Sequence, residues 1–410
     1  MSSKTKDSCN ININSKYYII TAGGTGGHIF PALNLALNLL SSGNNKVVFL
    51  TDNRFKNFYQ DKYPQVFNND NFTIKYLDIK KFSGFKNPIK FINFCYSLII
   101  SIYQTFMIGK NKQNSVIVGF GGYVSIPVIM YGILTRKEII LHEQNAILGR
   151  VNKLFLPFCK TLYTSFKKTI DIKNIYQDKV KQCGVLFSDK FEKLILTKYN
   201  LQNNKLKTNT TNQLDLSMRV DSTILDILNN KSKTNVNLIK QNTNINITIL
   251  GGSLGASFFN DSLASKIYDI VTKHCNENLT NKSLKKININ HQVKTQIDAE
   301  NVLKIYNTLQ QSLPTINIVF DVKTFFINPE EIISNSDVII SRCGASSVCE
   351  AYLSDAKCIF VPIKKSAKNH QFLNAQYFCN QESKGNIFIA TEKNNSIHEG
   401  LEYIFKKILN

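Results

Sequence analysis

The sequence predicts an α/β protein built from two similar halves, each a parallel, doubly wound sheet. Three observations predict it. A β-rich run, Lys16 to Ala22, flows into the glycine loop Gly23-Gly24-Thr25-Gly26-Gly27-His28 and then into a helix-like stretch. The same succession restarts downstream, where Ile245 to Leu250 leads into Gly251-Gly252-Ser253-Leu254-Gly255 and a helix over Ala256 to Val271. Strand-like and helix-like segments alternate through both halves, the pattern of βαβ units on a parallel sheet. A chain of 410 residues suits two domains, each able to bury its own core.

In the first half, Pro31 sits where a helix starts, with Leu33, Ala36, Leu37 and Leu40 at helical spacing and Gly43 as the stop. Further strands are expected at Lys46 to Thr51, Phe72 to Ile79, Val116 to Phe120, Glu138 to Leu141 and Thr161 to Thr164. In the second half they are expected at Ile316 to Phe320, Val338 to Ser341 and Cys358 to Val361, with a final helix over 394–410. Between the halves, Asn200 to Asn246 is crowded with Asn, Lys and Thr. That composition is too polar to build a core and predicts a mobile insertion, with a helical turn or two at Ser222 to Leu228.

Phe91 to Ile108 carries no charged residue. About 18 apolar-rich positions is the lower limit for a membrane span. Its polar residues Asn93, Ser97, Ser101 and Gln104 fall on one face of a helix, an amphipathic pattern. Lys80, Lys81, Lys86 and Lys90 precede it, and Lys110 and Lys112 follow. A helix lying in a membrane surface and held by anionic lipid fits, with Phe91, Phe94, Leu98 and Ile102 as the inserted residues. A core helix packed on a sheet fits the same pattern.

With 43% hydrophobic and 19% charged residues the chain is globular, which excludes a wholly disordered chain, a fibre and a collagen. Fifty Lys+Arg against 29 Asp+Glu leave a net charge of +21, which concentrates phosphates, nucleic acids or acidic lipids. Nine cysteines without a C-x-x-C pair fit neither a disulfide framework nor a zinc site and suggest a reducing compartment. Met1 to Lys16 lacks the apolar core of a secretion signal, so a cytoplasmic location is expected.

A glycine loop between a strand and a helix lets backbone N–H groups approach a phosphate, with the positive end of the helix dipole behind them. Gly24 and Gly26 begin a G-x-G-x-x-G fingerprint, but its third position is Ile29, and no P-loop Lys follows either loop. An oxidoreductase and a P-loop nucleotidase are therefore disfavoured. His28 ends the first loop, at the open end of the sheet where ligands of such folds bind. His142-Glu143-Gln144-Asn145 follows a predicted strand and offers groups that orient hydroxyls or accept a proton. Ser341-Arg342-Cys343-Gly344-Ala345-Ser346-Ser347-Val348-Cys349-Glu350 follows another, and Glu350 could accept two hydrogen bonds from a ribose diol. His370-Gln371 with Asn374 forms a fourth cluster. A structural network is the blander alternative for the His142 to Asn145 cluster.

Five stretches, in the same order, resemble the MurG family of lipid-linked N-acetylglucosaminyltransferases. They are Gly23 to Pro31, Gly119-Phe120-Gly121-Gly122-Tyr123-Val124-Ser125, His142 to Asn145, Gly251-Gly252-Ser253-Leu254-Gly255-Ala256, and Arg342-Cys343-Gly344-Ala345 through Glu350. The resemblance implies a GT-B fold of two Rossmann-like lobes facing a central cleft. It implies lobes at 1–187 and 188–393, with the helix at 394–410 packing back on the first. The activity implied is inverting transfer of N-acetylglucosamine from UDP-N-acetylglucosamine to lipid I, giving lipid II, with no metal and no cofactor. The partners implied are donor, lipid I and the anionic cytoplasmic face of the bacterial inner membrane, and no nucleic acid. By carry-over, Thr25, Gly26, Gly27 and Asn145 touch the donor from the first lobe. Ser253, Ala345, Ser346, Ser347, Val348, Cys349, Glu350, His370 and Gln371 hold it from the second, with Phe326 beside the uracil. His28 is the candidate base and Glu143 its assistant.

One departure stands out. The family has Gly-Asn-Pro-Val-Arg at the hinge, where this chain reads Gly184-Val185-Leu186-Phe187-Ser188. Either Lys190 or another cation replaces the Arg, or donor affinity falls. Two further readings accompany the leading one: a transferase for another lipid-linked or sugar acceptor, and a degenerate, non-catalytic nucleotide-sugar binder. A nucleic-acid-binding protein would need basic residues interleaved with aromatics, whereas here they flank an apolar helix.

Overall fold

A computed structural model describes residues 16–23, 25–42, 44–53, 64–80, 87–112, 114–199, 221–230, 244–252, 257–277, 286–364, 366–381, 385–392 and 394–409. Seven parallel strands form the first sheet: β1 (Tyr17–Thr21), β2 (Lys46–Thr51), β3 (Phe72–Tyr76), β4 (Ser115–Gly119), β5 (Glu138–Glu143), β6 (Thr161–Thr164) and β7 (Val180–Gln182). Their order is β3-β2-β1-β4-β5-β6-β7. Six more form the second: β8 (Asn244–Leu250), β9 (Lys286–Gln292), β10 (Asn317–Lys323), β11 (Val338–Ser341), β12 (Lys357–Phe360) and β13 (Ile387–Ile389), ordered β10-β9-β8-β11-β12-β13. The helices of the first lobe are α1 (Gly26–Ser41), α2 (Pro64–Phe67), α3 (Pro88–Gly109), α4 (Ser125–Leu134) and α5 (Arg150–Phe155). Then come α6 (Asp189–Lys198), α7 (Ser222–Asn230), α8 (Asp261–Glu277), α9 (Gln296–Ser312), α10 (Pro329–Ser334), α11 (Ala345–Leu353), α12 (His370–Cys379) and α13 (Asn394–Leu409).

Both faces of each sheet are covered, which is why the central strands read as apolar runs rather than alternating ones. In the first sheet Tyr18, Ile20, Val47 and Phe49 pack into one core layer, while Ile19, Val48 and Leu50 pack into the opposite one. In the second, Val338, Ile340 and Ile359 face one layer, and Ile339, Cys358 and Phe360 the other. The strand order reverses between β1 and β4 and again between β8 and β11. Crevices for ligands open at the carboxyl ends of strands at such switch points. The Gly23 loop and the Gly121-Gly122 turn flank the first, and Gly251-Gly252 and Cys343-Gly344 flank the second.

The structure departs from the sequence reading in several places. β7, β9 and β13 were not expected. β9 alternates Ile287, Ile289 and His291 with polar residues, and those three side chains are buried although the segment as a whole is polar. The expected strand at 72–79 stops at Tyr76. The helix expected from Ala256 starts at Asp261, after a 3-10 turn at Ser257–Phe259. Of the Asn-rich insertion, 200–220 and 231–243 lie outside the described residues. α7 within it buries Ile224, Ile227 and Leu228, so this part does contribute to a core. The final helix does not return to the first lobe. Ile397, Leu401, Ile404 and Phe405 of α13 bury against the second sheet, beside Ile359 and Ala390.

α3 is turned opposite to a surface helix of ordinary pattern. Its buried stripe is Phe94, Ser97, Ser101, Thr105 and Gly109, while Ile92, Tyr96, Ile99, Tyr103 and Phe106 are exposed. Small residues let the backbone approach α4 closely: a Cβ on Gly109 would lie 2.2 Å from the Tyr131 hydroxyl. Ser97 and Thr105 satisfy their hydroxyls on the helix's own carbonyls, at 2.9 Å to Phe94 O and 2.7 Å to Ser101 O. Of the four residues expected to enter a membrane, Phe94 is instead in the core and Phe91, Leu98 and Ile102 are half-buried. Helical periodicity finds two faces but not which one meets the protein.

Candidate active site

The first glycine loop is held by close packing. A Cβ on Gly23 would lie 2.4 Å from Val124 Cγ2, and one on Gly122, at φ +79°, would lie 2.4 Å from Gly23 O. Ser125 pins the turn by donating to Gly121 O at 2.7 Å. Thr25 caps α1 in extended conformation, and Gly26 and Gly27 begin the helix. The Thr25 hydroxyl lies 3.0 Å from His28 Nδ1. Burial, reinforced by the charge of His370, pushes the His28 pKa down to about 4. His28 is therefore neutral at physiological pH, and when Nδ1–H donates to Thr25 its Nε2 lone pair is the one left free.

His370 of the second lobe thus acts on His28 of the first. His142, fully buried, is a third histidine: its ring lies 4.7 Å from that of Phe120, and burial pushes its pKa down to about 3.

Glu143, at the end of β5, is buried and saturated. Oε1 accepts from the Asn145 backbone N–H at 3.0 Å and from Asn145 Nδ2 at 3.1 Å. Oε2 accepts from the Gly149 N–H at 2.8 Å and from Asn152 Nδ2 at 2.9 Å. Burial raises its pKa, and these four bonds pull it back. A carboxylate offers about four lone-pair sites, and all are taken. In this structure Glu143, the assisting base expected from sequence, is held by four bonds and shapes the loop from Asn145 to Asn152.

That loop touches the second lobe through Asn374 of α12. Its Oδ1 accepts from the Ala146 N–H at 2.8 Å, and its Nδ2 donates to Asn145 Oδ1 and to Cys343 O, both at 3.1 Å. Asn374 is fully buried, and one amide thereby joins the loops after β5 and β11. Sequence reading grouped Asn374 with His370 but gave it no role, because the partners lie 228 and 229 residues away.

Of the second lobe's expected donor residues, Ala345, Ser346 and Ser347 form the first turn of α11, capped by Gly344 in extended conformation. The side chains of Val348 and Cys349 point into the core, so only their backbone could serve a ligand. Glu350 is half-buried one turn along. His370 Nδ1 lies 2.8 Å from Ala367 O, and Gln371 Oε1 accepts from the Ile363 N–H at 2.9 Å. Phe326 is buried after β10 beneath Lys323, whose Nζ lies 5.9 Å from the ring centroid. Ser253 and its neighbours to Ala256 lie outside the described residues. At the hinge, Ser188 caps α6 by accepting from the Phe191 N–H, and donates to Glu330 Oε1 at 3.2 Å. Lys190 pairs with Glu331 at 2.7 Å. Among the described residues, no group of three or more His, Cys, Asp or Glu is placed to hold a metal.

The family model for the glycosyltransferase family 28 N-terminal domain matches residues 18–164, and that for its C-terminal domain matches 246–410. The chain belongs to glycosyltransferase family 28. This family 28 chain is 30% identical over 393 residues to the UDP-N-acetylglucosamine--N-acetylmuramyl-(pentapeptide) pyrophosphoryl-undecaprenol N-acetylglucosamine transferase of Wolbachia sp. subsp. Drosophila simulans (strain wRi), covering 96% of this chain and 90% of that one. It is 29% identical to the Rickettsia rickettsii (strain Sheila Smith) protein of the same name over 90% of this chain and 85% of the relative. Its fold matches the crystal structure of Acinetobacter baumannii MurG with a TM-score of 0.62 and 22% identity, over 97% of this chain and 91% of that one. The two-lobed α/β fold expected of a family 28 transferase is the fold observed.

Proposed function

We infer that this chain is an inverting glycosyltransferase that moves N-acetylglucosamine from UDP-N-acetylglucosamine to lipid I, giving lipid II in peptidoglycan biosynthesis. The observation that carries it is the match of both halves to one transferase family, with neutral His28 at the first switch point. The lobe up to 187 takes the acceptor and the lobe from 188 the donor. His28 Nε2 accepts the proton of the attacking hydroxyl as that oxygen bonds to the sugar carbon, and the bond from that carbon to the UDP oxygen breaks on the opposite face. Thr25 holds the ring in the useful tautomer. Glu143 positions the Asn145 loop at the donor's edge. The diphosphate leaves toward the amino end of α11, where the unpaired N–H groups of its first turn and the helix dipole meet the developing charge. Ser188 stands where the family carries an arginine and Lys190 is already paired, so these amides carry more of the load here. Glu350 receives the ribose, and Gln371 contributes its remaining amide group.

The test is transfer of radiolabelled sugar from UDP-N-acetylglucosamine to purified lipid I. Formation of lipid II is expected; uptake of uridine nucleotide without turnover would leave only a binding protein, and turnover on other acceptors alone would move the activity elsewhere.

The exposed face of α3 is the membrane contact in this reading. Ile89, Ile92, Tyr96, Ile99, Tyr103 and Phe106 present a continuous apolar strip, with exposed Lys80, Lys90 and Lys110 at its ends. α3 is long and apolar enough to cross a bilayer, but its Ser/Thr/Gly stripe is committed to α4. It therefore lies in the interface. Binding to anionic vesicles should be abolished by Ile92→Asp with Ile99→Asp and unaffected by Ser101→Ala; the reverse result would refute this orientation.

A further inference from the structure

Among the contacts that join the lobes beside the crevice, which include Phe166 packed on Tyr377 and Phe378, two polar ones contrast. Asn374 is neutral and fully buried. The other contact is charged and partly exposed. Asp171 lies between β6 and β7, and its Oδ2 is 2.7 Å from Lys368 Nζ of the second lobe. Lys368 Nζ also donates to Leu148 O at 3.1 Å, so one ammonium grips two points of the first lobe. Oδ1 of Asp171 is meanwhile held by Lys153 of α5 at 2.5 Å.

Both ends of the pair are built into the site. Asp171 follows Ile170, which bridges to Ile147: the Ile170 N–H donates to Ala146 O at 2.8 Å, and the Leu148 N–H to Ile170 O at 2.9 Å. Ala146 to Gly149 is the loop that Glu143 and Asn374 also hold. On the other side Lys368 is two residues before His370, in the turn whose Ala367 O meets His370 Nδ1. The backbone is strained at these positions. Asp171, Lys368 and Asn369 adopt φ of +73°, +52° and +56°, left-handed conformations that side chains disfavour. Such conformations persist where surrounding contacts over-determine them and cluster at ligand clamps and switches. Two of them in succession aim Lys368 at Asp171 and start α12 directly afterwards.

We propose that Asp171 and Lys368 are positioning residues: an ionic clasp that sets the first turn of α12, with His370 and Gln371, against the acceptor-side loop when the crevice closes on the donor. The inference rests on the donor reading above and adds a part it does not contain. An exposed pair contributes little static stability, so the clasp can open for donor entry and product release. The two lysines hold the Asp171 carboxyl down to about 2, so it stays charged across the working range and ionic strength, not pH, is the lever.

The experiment is steady-state kinetics of the full chain at saturating lipid I, with UDP binding by calorimetry alongside. Lys368→Met and Asp171→Asn are each expected to raise the donor KM about two- to fivefold, the range of one exposed ion pair, with kcat within about twofold. The double variant should be no worse than either single one. Raising NaCl should weaken donor use by the unsubstituted chain but not by the Lys368→Met variant. Lys273→Met, which breaks the pair with Glu402 inside the second lobe, should change none of these. Additive single effects, or an unchanged donor KM in correctly folded Lys368→Met, overturn the clasp. If lipid I is not a substrate yet UDP affinity follows the same pattern, the clasp stands and the acceptor assignment falls.

Discussion

Gly23 and Gly122 of the first lobe are packed against each other with no room for a Cβ, whereas Gly252 of the second lobe, at φ +84°, has no described atom within 4 Å of where a Cβ would stand. The two loops look alike as sequence, a strand followed by paired glycines and then a helix. Their glycines answer different demands. In the first lobe glycine permits close contact between two backbone turns, which fixes the place of Thr25 and His28. In the second, among the described residues, it permits a left-handed backbone conformation that a side chain disfavours. A repeated motif therefore need not repeat its physical reason: one loop needs glycine for a close contact and the other for a backbone conformation.

The largest effect should come from the residue the tight loop positions. His28→Ala is expected to lower kcat by ~10² to 10⁴, the usual range for a general base, while UDP affinity measured by calorimetry holds. Because burial places the folded-state pKa near 4 instead of 6.5, His28 stays unprotonated through neutral pH. The pH profile of kcat/KM should lack an acid limb near 6.5 and fall only as pH approaches 4; a limb at 6.5 would assign the base elsewhere. Next is Gly122→Ala, which forces a Cβ against Gly23 O and should destabilise the fold by about 2–4 kcal/mol, read as a lowered Tm. The smallest effect on stability belongs to Gly252→Ala, about 1 kcal/mol for the left-handed φ, with weakened UDP binding as its main consequence. Equal losses of Tm in the two glycine variants would erase the distinction between the loops.

Much of the fold was legible because it is written in short stretches. β2, β6 and β11 fall where apolar runs bounded by turn residues predict them. β9 was not, since Asn288 and Asn290 give it the composition of a loop while Ile287, Ile289, His291 and Gln292 are buried. His291 shows the same limit: as a residue it suggests chemistry, yet burial pushes its pKa down to about 4 and its ring is spent on Tyr306 and the Phe259 carbonyl. In the candidate site, the motifs mark loops at the carboxyl ends of strands but not the contacts that each side chain makes. Glu143 reads as a base and has both oxygens bonded to its own loop; Asn374 reads as an accessory and joins the lobes; Val348 and Cys349 lie within an expected donor motif and face the core.

The order of strand, glycine loop and helix, stated twice, follows from the sequence alone, because backbone propensity and hydrophobic period act over a few residues. So does the placing of each motif at the carboxyl end of a strand. Which stripe of α3 is buried, which lobe receives α13, and which donors fill Glu143 were decided only by tertiary structure. These depend on whether two surfaces fit and whether a buried polar group finds its partner. The lobes meet through Asn374 and Ala146, 228 positions apart in the chain, and no local pattern carries that information.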